Sequence, residues 1–208
     1  MLRIGVLVSG GGTNLQAILE AIKTGEIPDA SVALVISNKK NAYALTRARE
    51  SGIATSIISR KAYANGAEFD QALSDALQSA QIDLILLAGF MAILGPGFFT
   101  HFEHRVMNVH PALIPAFSGP GYYGLKVHES VLATGCKVTG ASVHFVTPEV
   151  DAGPLILQKA VDVQPDDNAE SLQKRVMEEA EWKIYPQAVS LFAQGRLKVL
   201  GHHVIISQ

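Results

Sequence analysis

With 208 residues, 48% of them hydrophobic and 17% charged, the chain can bury one sizeable core and is too apolar to be disordered. A net charge of −2 provides no electrostatic footprint for nucleic acid, and the single cysteine, Cys136, excludes an internal disulfide and a cysteine-based zinc site. No apolar run reaches the roughly 18 residues of a membrane span, so the expectation is a cytoplasmic protein, monomer or homodimer, with neither membrane nor nucleic-acid partners.

Strand and helix patterns then alternate. Residues 3–8 are a short apolar run that meets glycines at Gly10, which suits a buried strand and not a signal peptide. Leu15, Ile18, Leu19 and Ile22 recur at helical spacing over residues 14–24, and Gly25 is a stop signal. A strand over 31–36, a helix over 41–50, a strand over 54–58 and a helix over 67–80 follow, the last with Phe69, Leu73, Ala76 and Leu77 inward. Residues 84–88 are a wholly apolar strand and 106–109 another. This order predicts an α/β fold, a Rossmann-like, mostly parallel sheet flanked by helices. The character changes beyond residue 135. Strands over 137–146 and 155–163 flank Pro-Glu-Val-Asp-Ala-Gly-Pro and suit an antiparallel C-terminal pair. Residues 169–194 are helical, with Pro186 a kink or break, and 196–200 with 204–206 can close a hairpin around Gly201. With no linker or repeat, the expectation is a single domain, 1–208.

Ligands of open α/β sheets bind beyond the carboxyl ends of the strands, where residues 9–14, 89–94 and 108–110 fall. In Ser9-Gly10-Gly11-Gly12-Thr13-Asn14, glycines allow close approach of an anion to backbone N–H groups at a helix start. Gly11, Gly12, Thr13 and Asn14 are therefore candidates for a phosphate. The alternative is a tight turn in which Thr13 or Asn14 caps the helix. The loop lacks the Gly-Lys-Ser/Thr of a Walker motif. Leu15 stands where a dinucleotide fingerprint needs its third glycine, and no acidic residue ends the second strand.

Asn108, His110 and Asp151 form the second constellation. An amide can stabilise an oxyanion, an imidazole can move a proton, and a carboxylate can orient and charge the imidazole, which are the parts for moving an acyl group onto an amine. By itself, Asn108-Val109-His110-Pro111 also fits a strand end with a satisfied Asn and a surface His. Cys136 is expected to be a packing residue. His144 is either a buried structural group or a support for the site. His128 is expected on a helix surface, and His101, His104, His202 and His203 carry no assignment. Trp182 is expected in core packing, and Tyr122 and Tyr123 as loop anchors.

Five segments in order carry a family resemblance: Ser-Gly-Gly-Gly-Thr-Asn-Leu-Gln, Ala-Gly-Phe-Met-Ala-Ile-Leu, Asn-Val-His-Pro-Ala-Leu-Ile-Pro, Val-Thr-Gly-Ala-Ser-Val-His-Phe-Val and Val-Asp-Ala-Gly-Pro-Leu-Ile. Nearly the whole chain resembles the phosphoribosylglycinamide formyltransferases. The resemblance implies formyl transfer from 10-formyltetrahydrofolate to the amino group of glycinamide ribonucleotide (GAR) in purine synthesis, without a metal. It implies a nucleotide- and phosphate-binding half, about residues 1–105, and a folate-binding and catalytic half, about 106–208. Asn108, His110 and Asp151 match the family's catalytic residues, and Gly12, Thr13 and Asn14 its substrate-phosphate loop. Met91, Ala92, Ile93 and Leu94, with Thr147, Pro148, Glu149, Val150 and Asp151, match the segments that hold folate, where Asn108 also reaches. Glu181 matches an acidic contact to the glycinamide end, with Glu178 one helical turn earlier on the same face.

Ala92 stands where many relatives have Arg, Gly66 where some do, and Lys126 where relatives often carry His. Ala92 and Gly66 weaken the case for contacts to the folate glutamate tail. The loop over 115–125 is glycine-rich and is a candidate lid. The alternatives are a formyltetrahydrofolate hydrolase or a methionyl-tRNA formyltransferase, each expected to carry a further domain for which 208 residues leave no room, and a noncatalytic folate- or nucleotide-binding module.

Overall fold

In the computed structural model, which describes residues 1–207, the chain forms two units, residues 1–107 and residues from Asn108 onward. The first alternates β1 (Leu2–Val8), α1 (Thr13–Lys23), β2 (Ala30–Ser37), α2 (Tyr43–Glu50), β3 (Ala54–Ile57), α3 (Gly66–Ser79), β4 (Leu84–Ala88) and the single turn α4 (Pro96–Phe99). Its strands are ordered β3-β2-β1-β4, every pairing parallel. The apolar runs explain the centre: β4 is buried along its whole length and β1 from Ile4 onward, as expected of strands covered on both faces. α3 starts at Asn65, whose side chain accepts the Glu68 N–H at 3.0 Å, and buries Phe69, Leu73 and Leu77. Ala76 lies at the edge of that face, only half-buried.

β5 (Val106–His110) leads into the second unit, with α5 (Leu125–Ala133), β6 (Val138–Phe145), β7 (Leu155–Asp162), α6 (Ala169–Val176), α7 (Trp182–Ala193), β8 (Leu197–Leu200) and β9 (His203–Ile206). β6 and β7 are antiparallel, from Val138 opposite Asp162 to His144 opposite Leu155, with a register shift at Val143/His144. β9 runs parallel to β7 and antiparallel to β8, which is the expected closing hairpin. The α/β class, with mostly parallel strands, flanking helices and an antiparallel C-terminal part, is the observed one.

One expectation is corrected and one element is new. Pro186 does not break its helix; it lies inside α7, and the irregularity is a π turn at Met177–Glu181 immediately upstream. A proline lacks the N–H for the i−4 carbonyl and crowds it, and a wider turn just before it relieves both. The short α4, opened by Pro96 at its first position, escaped the sequence pattern because four residues show no period.

Candidate active site

In the second unit, Asn108 and His110 are two apart on β5 and share a face of the strand. His110 is only 4% exposed, which rules out the surface-histidine alternative. Its Nδ1 lies 3.5 Å from Asp151 Oδ2, and its Nε2 lies 2.8 Å from the Phe117 carbonyl oxygen. A carbonyl only accepts, so Nε2 carries the proton and Nδ1 presents its lone pair toward Asp151. Asp151 sits in the β6–β7 turn at φ 54, a left-handed conformation that Asp tolerates better than most residues, and accepts the Gly119 N–H at 3.0 Å. Gly153 makes that turn possible: a Cβ there would lie 1.8 Å from the Phe145 carbonyl oxygen.

His144, on β6, joins the cluster as a direct neighbour. Its Nδ1 donates to the Phe145 carbonyl at 2.9 Å, leaving Nε2 3.3 Å from Asn108 Nδ2 and 3.7 Å from Asp151 Oδ1. Where Nε2 presents a lone pair it accepts one amide hydrogen of Asn108, which fixes the orientation of the amide and leaves it a second N–H. Two residues earlier on β6, Ser142 accepts the Ile114 N–H at 3.0 Å and donates to the Ala112 carbonyl at 2.7 Å, which ties down the segment after His110.

Burial dominates the electrostatics of His110 and holds it below the ordinary imidazole range, although Asp151 and the Phe117 carbonyl pull the other way. Asp151 favours the imidazolium, as expected, but desolvation outweighs it. For Asp151, burial alone would raise the carboxyl, but His144, His110 and the Gly119 N–H together bring it below its ordinary value. The resting pair is therefore neutral His110 beside ionised Asp151. His128 is a further correction. It is fully buried in α5, not on the surface; burial, then the nearby His110, push it down to about 4, and neither ring nitrogen has a hydrogen-bond partner.

In the first unit, Gly12 is the N-cap of α1 at φ 76 with no side-chain cap, so neither Thr13 nor Asn14 performs the capping role weighed from sequence. A Cβ on Gly12 would lie 2.6 Å from Ala44 Cβ, whereas at Gly10 and Gly11 it would meet open space. The 89–95 segment is pinned at both ends: Ser9 Oγ accepts the Met91 N–H at 2.8 Å while donating to Asn38 Oδ1, and Asp70 Oδ2 accepts the Gly95 N–H at 2.8 Å. Between the pins Leu94 is buried, Ala92 half-buried, and Met91 and Ile93 are exposed, Ile93 at 75%. In the folate segment of the second unit, Thr147 Oγ1 donates to the Glu149 carbonyl at 3.2 Å, and Pro148, Glu149 and Val150 are exposed.

Glu178 and Glu181 do not share a face. Glu181 is buried, while Glu178 is exposed and 3.9 Å from Lys174. Both lie in the π turn, whose longer period rotates residues three apart away from each other. Cys136 and Trp182 are half-buried, and Tyr122 and Tyr123 are exposed, Tyr122 with its ring 6.2 Å from that of Phe117. Among the described residues no group of His, Cys, Asp and Glu could hold a metal ion, and no helix is long and apolar enough to cross a membrane.

A family profile described as formyl transferase matches residues 2–189. The phosphoribosylglycinamide formyltransferase of Haemophilus influenzae is 43% identical over 199 residues, spanning 96% of this chain and 91% of the relative. The Escherichia coli protein of the same name is 43% identical over 198 residues, spanning 95% and 90%. The crystal structure of glycinamide ribonucleotide transformylase 1 from Symbiobacterium toebii matches at a TM-score of 0.94 and 46% identity, covering 100% of this chain and 95% of that one.

Proposed function

The chain belongs to the formyl transferase family, and we propose that it transfers the formyl group of 10-formyltetrahydrofolate to the amino group of GAR, as a cytoplasmic enzyme of purine synthesis. The observation that carries this assignment is the chain Asn108–His144–Asp151–His110, both of its imidazoles buried, which puts an amide donor and a proton-carrying ring on one carboxylate. A module that only bound ligand has no use for a neutral imidazole held against an ionised carboxylate at 4% exposure.

The bound folate supplies the formyl carbon. In the second unit, exposed Val150 offers apolar surface for a flat ring system and the backbone of residues 147–151 offers polar groups for its edge; in the first unit, Met91 and Ile93 are exposed apolar candidates for the same ligand. Ala92 provides no cation for an acidic tail. Asn108, oriented by His144, directs its second N–H at the oxygen on which negative charge develops, a contact whose removal typically costs about 3 kcal/mol. His110 accepts the proton lost by the attacking amine and returns one to the departing nitrogen. It does so from the neutral form, with Asp151 stabilising the imidazolium while it exists. To accept a substrate proton at Nε2 the ring must release the Phe117 carbonyl and carry its own proton on Nδ1, toward Asp151, so the loop that carries Phe117 yields as substrate enters. Gly11, Gly12, Thr13 and Asn14 receive the GAR phosphate at the start of α1, and Glu181 is the acidic contact for its glycinamide amine; Glu178, turned to solvent beside Lys174, takes no part.

The test is tetrahydrofolate release from 10-formyltetrahydrofolate with and without GAR. Release that requires GAR and yields formyl-GAR is expected. Release without an acceptor identifies a hydrolase, and no release from folded, folate-binding protein overturns the proposal.

A further inference from the structure

Three consecutive carbonyls of the glycine loop are each engaged by a donor. Gly10 O accepts the Ala44 N–H at 3.0 Å, Gly11 O accepts Arg47 Nε–H at 3.0 Å, and Gly12 O accepts the Gln16 N–H at 3.0 Å. In a trans peptide the carbonyl of one residue and the N–H of the next point in opposite directions. Fixing these carbonyls therefore fixes the N–H groups of Gly11, Gly12 and Thr13 to point away from those donors, the arrangement of a backbone anion nest. Two of the donors are backbone groups; only Arg47 reaches the loop with a side chain.

Arg47 is built into that position. Its Cδ would lie 3.5 Å from a Cβ on Gly12, its Nη1 donates to Gln16 Oε1 at 3.2 Å in the first turn of α1, and its guanidinium lies 5.1 Å from the Tyr43 ring centroid. The Gln16 amide is held in turn by Glu20, 3.0 Å away. One planar fork thus joins α2, the loop and α1. A Cβ at Gly10 or Gly11 would meet nothing within 4 Å, so no side-chain packing at these two positions adds to the hydrogen bonds. Gly12 differs: its φ is positive and a Cβ there would lie 2.6 Å from Ala44 Cβ, so no side chain fits.

Resting on the phosphate-loop assignment above, we propose that Arg47 is a positioning residue that sets the enzyme's demand for a phosphorylated acceptor, by holding the Gly11–Gly12 peptide with its N–H toward the phosphate. Its positive charge is secondary. Lysine keeps the charge but cannot donate from a planar fork to Gly11 O and Gln16 together.

The test compares the parent with Arg47→Ala and Arg47→Lys, using GAR and the same acceptor without its phosphate. Arg47→Ala is expected to raise the KM for GAR by about tenfold to a hundredfold, the range for losing a charge-assisted hydrogen bond. The loss falls on KM far more than on kcat, and the ratio of kcat/KM for the two acceptors collapses by the same factor. Arg47→Lys recovers little of it. A KM for GAR within about twofold of the parent, equal losses on both acceptors, or full recovery by Lys overturns the proposal. A titration of inorganic phosphate followed by backbone amide NMR provides a readout apart from activity. The Gly11, Gly12 and Thr13 amides should shift in the parent and not in Arg47→Ala. Equal shifts in both, or none in the parent, overturn the role of Arg47 whatever the acceptor proves to be. A parent without GAR-dependent transfer but with these shifts overturns the reaction assignment alone.

Discussion

Asp151→Asn isolates the charge that the mechanism asks of the carboxylate. Asn has the same shape, and its side-chain oxygen can still accept the Gly119 N–H. What it lacks is the negative charge 3.5 Å from His110 Nδ1. At that separation, with an effective dielectric of about 20, full opposite charges attract by about 5 kcal/mol. That sum bounds what the imidazolium loses, and it corresponds to a fall in kcat of up to ~10³-fold. A second effect has a fixed sign. Burial already holds His110 below its ordinary range against the pull of Asp151. Removing the anion lowers it further, so the acid limb of the kcat profile moves to lower pH while its plateau drops. The assay is tetrahydrofolate release at saturating GAR and folate from about pH 5 to about pH 9, where kcat reports groups in the bound complex. A loss smaller than about tenfold, or an acid limb displaced upward, would falsify the role given to Asp151.

Asn108→Ala should lower kcat by about 10²- to 10³-fold with folate binding, followed by fluorescence, changed only a few-fold; a kcat within tenfold of the parent removes the oxyanion role. His110→Ala should lose orders of magnitude in kcat and retain GAR binding by calorimetry; a near-normal rate takes His110 out of the proton transfers. His128 makes a stability prediction. Its folded value, pushed down to about 4, lies below the ordinary value near 6.5, so the unfolded chain binds the extra proton between them. The stability tied to its neutral form is complete above about pH 6.5 and is lost as pH falls toward 4, about 3 kcal/mol in all. Urea midpoints should fall more steeply with acid in the parent than in His128→Leu, and parallel curves across that window contradict it. Gly153→Ala forces a Cβ to within 1.8 Å of the Phe145 carbonyl, so the Asp151 turn must move. Melting temperature and activity should drop together, and an unchanged melt shows that the turn tolerates a side chain.

What was legible in the sequence was whatever a side chain announces by type and period. The apolar runs of β1 and β4, the glycines before α1, and Asn108 and His110 two apart at a strand end all have that character. What was not legible depends on backbone or on distant pairing. The Phe117 carbonyl and the Gly119 N–H complete the cluster around His110 and Asp151, yet any residue could supply them. Glu178 and Glu181 were placed on one face by a helical period that the π turn interrupts. For His128 a signal did exist: Val127 and Val131 flank it, and the three are buried together on α5. An isolated histidine on a helix reads by default as a surface residue, and the two valines beside it mark the buried face instead. Arg47 had no local signal, because its partner at Gly11 is brought near only by the crossover from β1 through α1 and β2 to α2.

His110 shows why the carboxylate and the burial belong together. A group that shuttles a proton must take it readily and give it back. Asp151 alone, close to the ring, would favour a standing imidazolium, which cannot accept the amine proton. Burial alone would make the charged state too costly to reach. In this protein burial outweighs the carboxylate, and the ring rests neutral with an ionised partner already in place. Burial would raise the Asp151 carboxyl, but His144, His110 and the Gly119 N–H together bring it below its ordinary value. The stabilisation it offers is thus available at the moment His110 becomes charged. It is withdrawn as soon as the proton moves on, so the carboxylate lowers the barrier without trapping the intermediate.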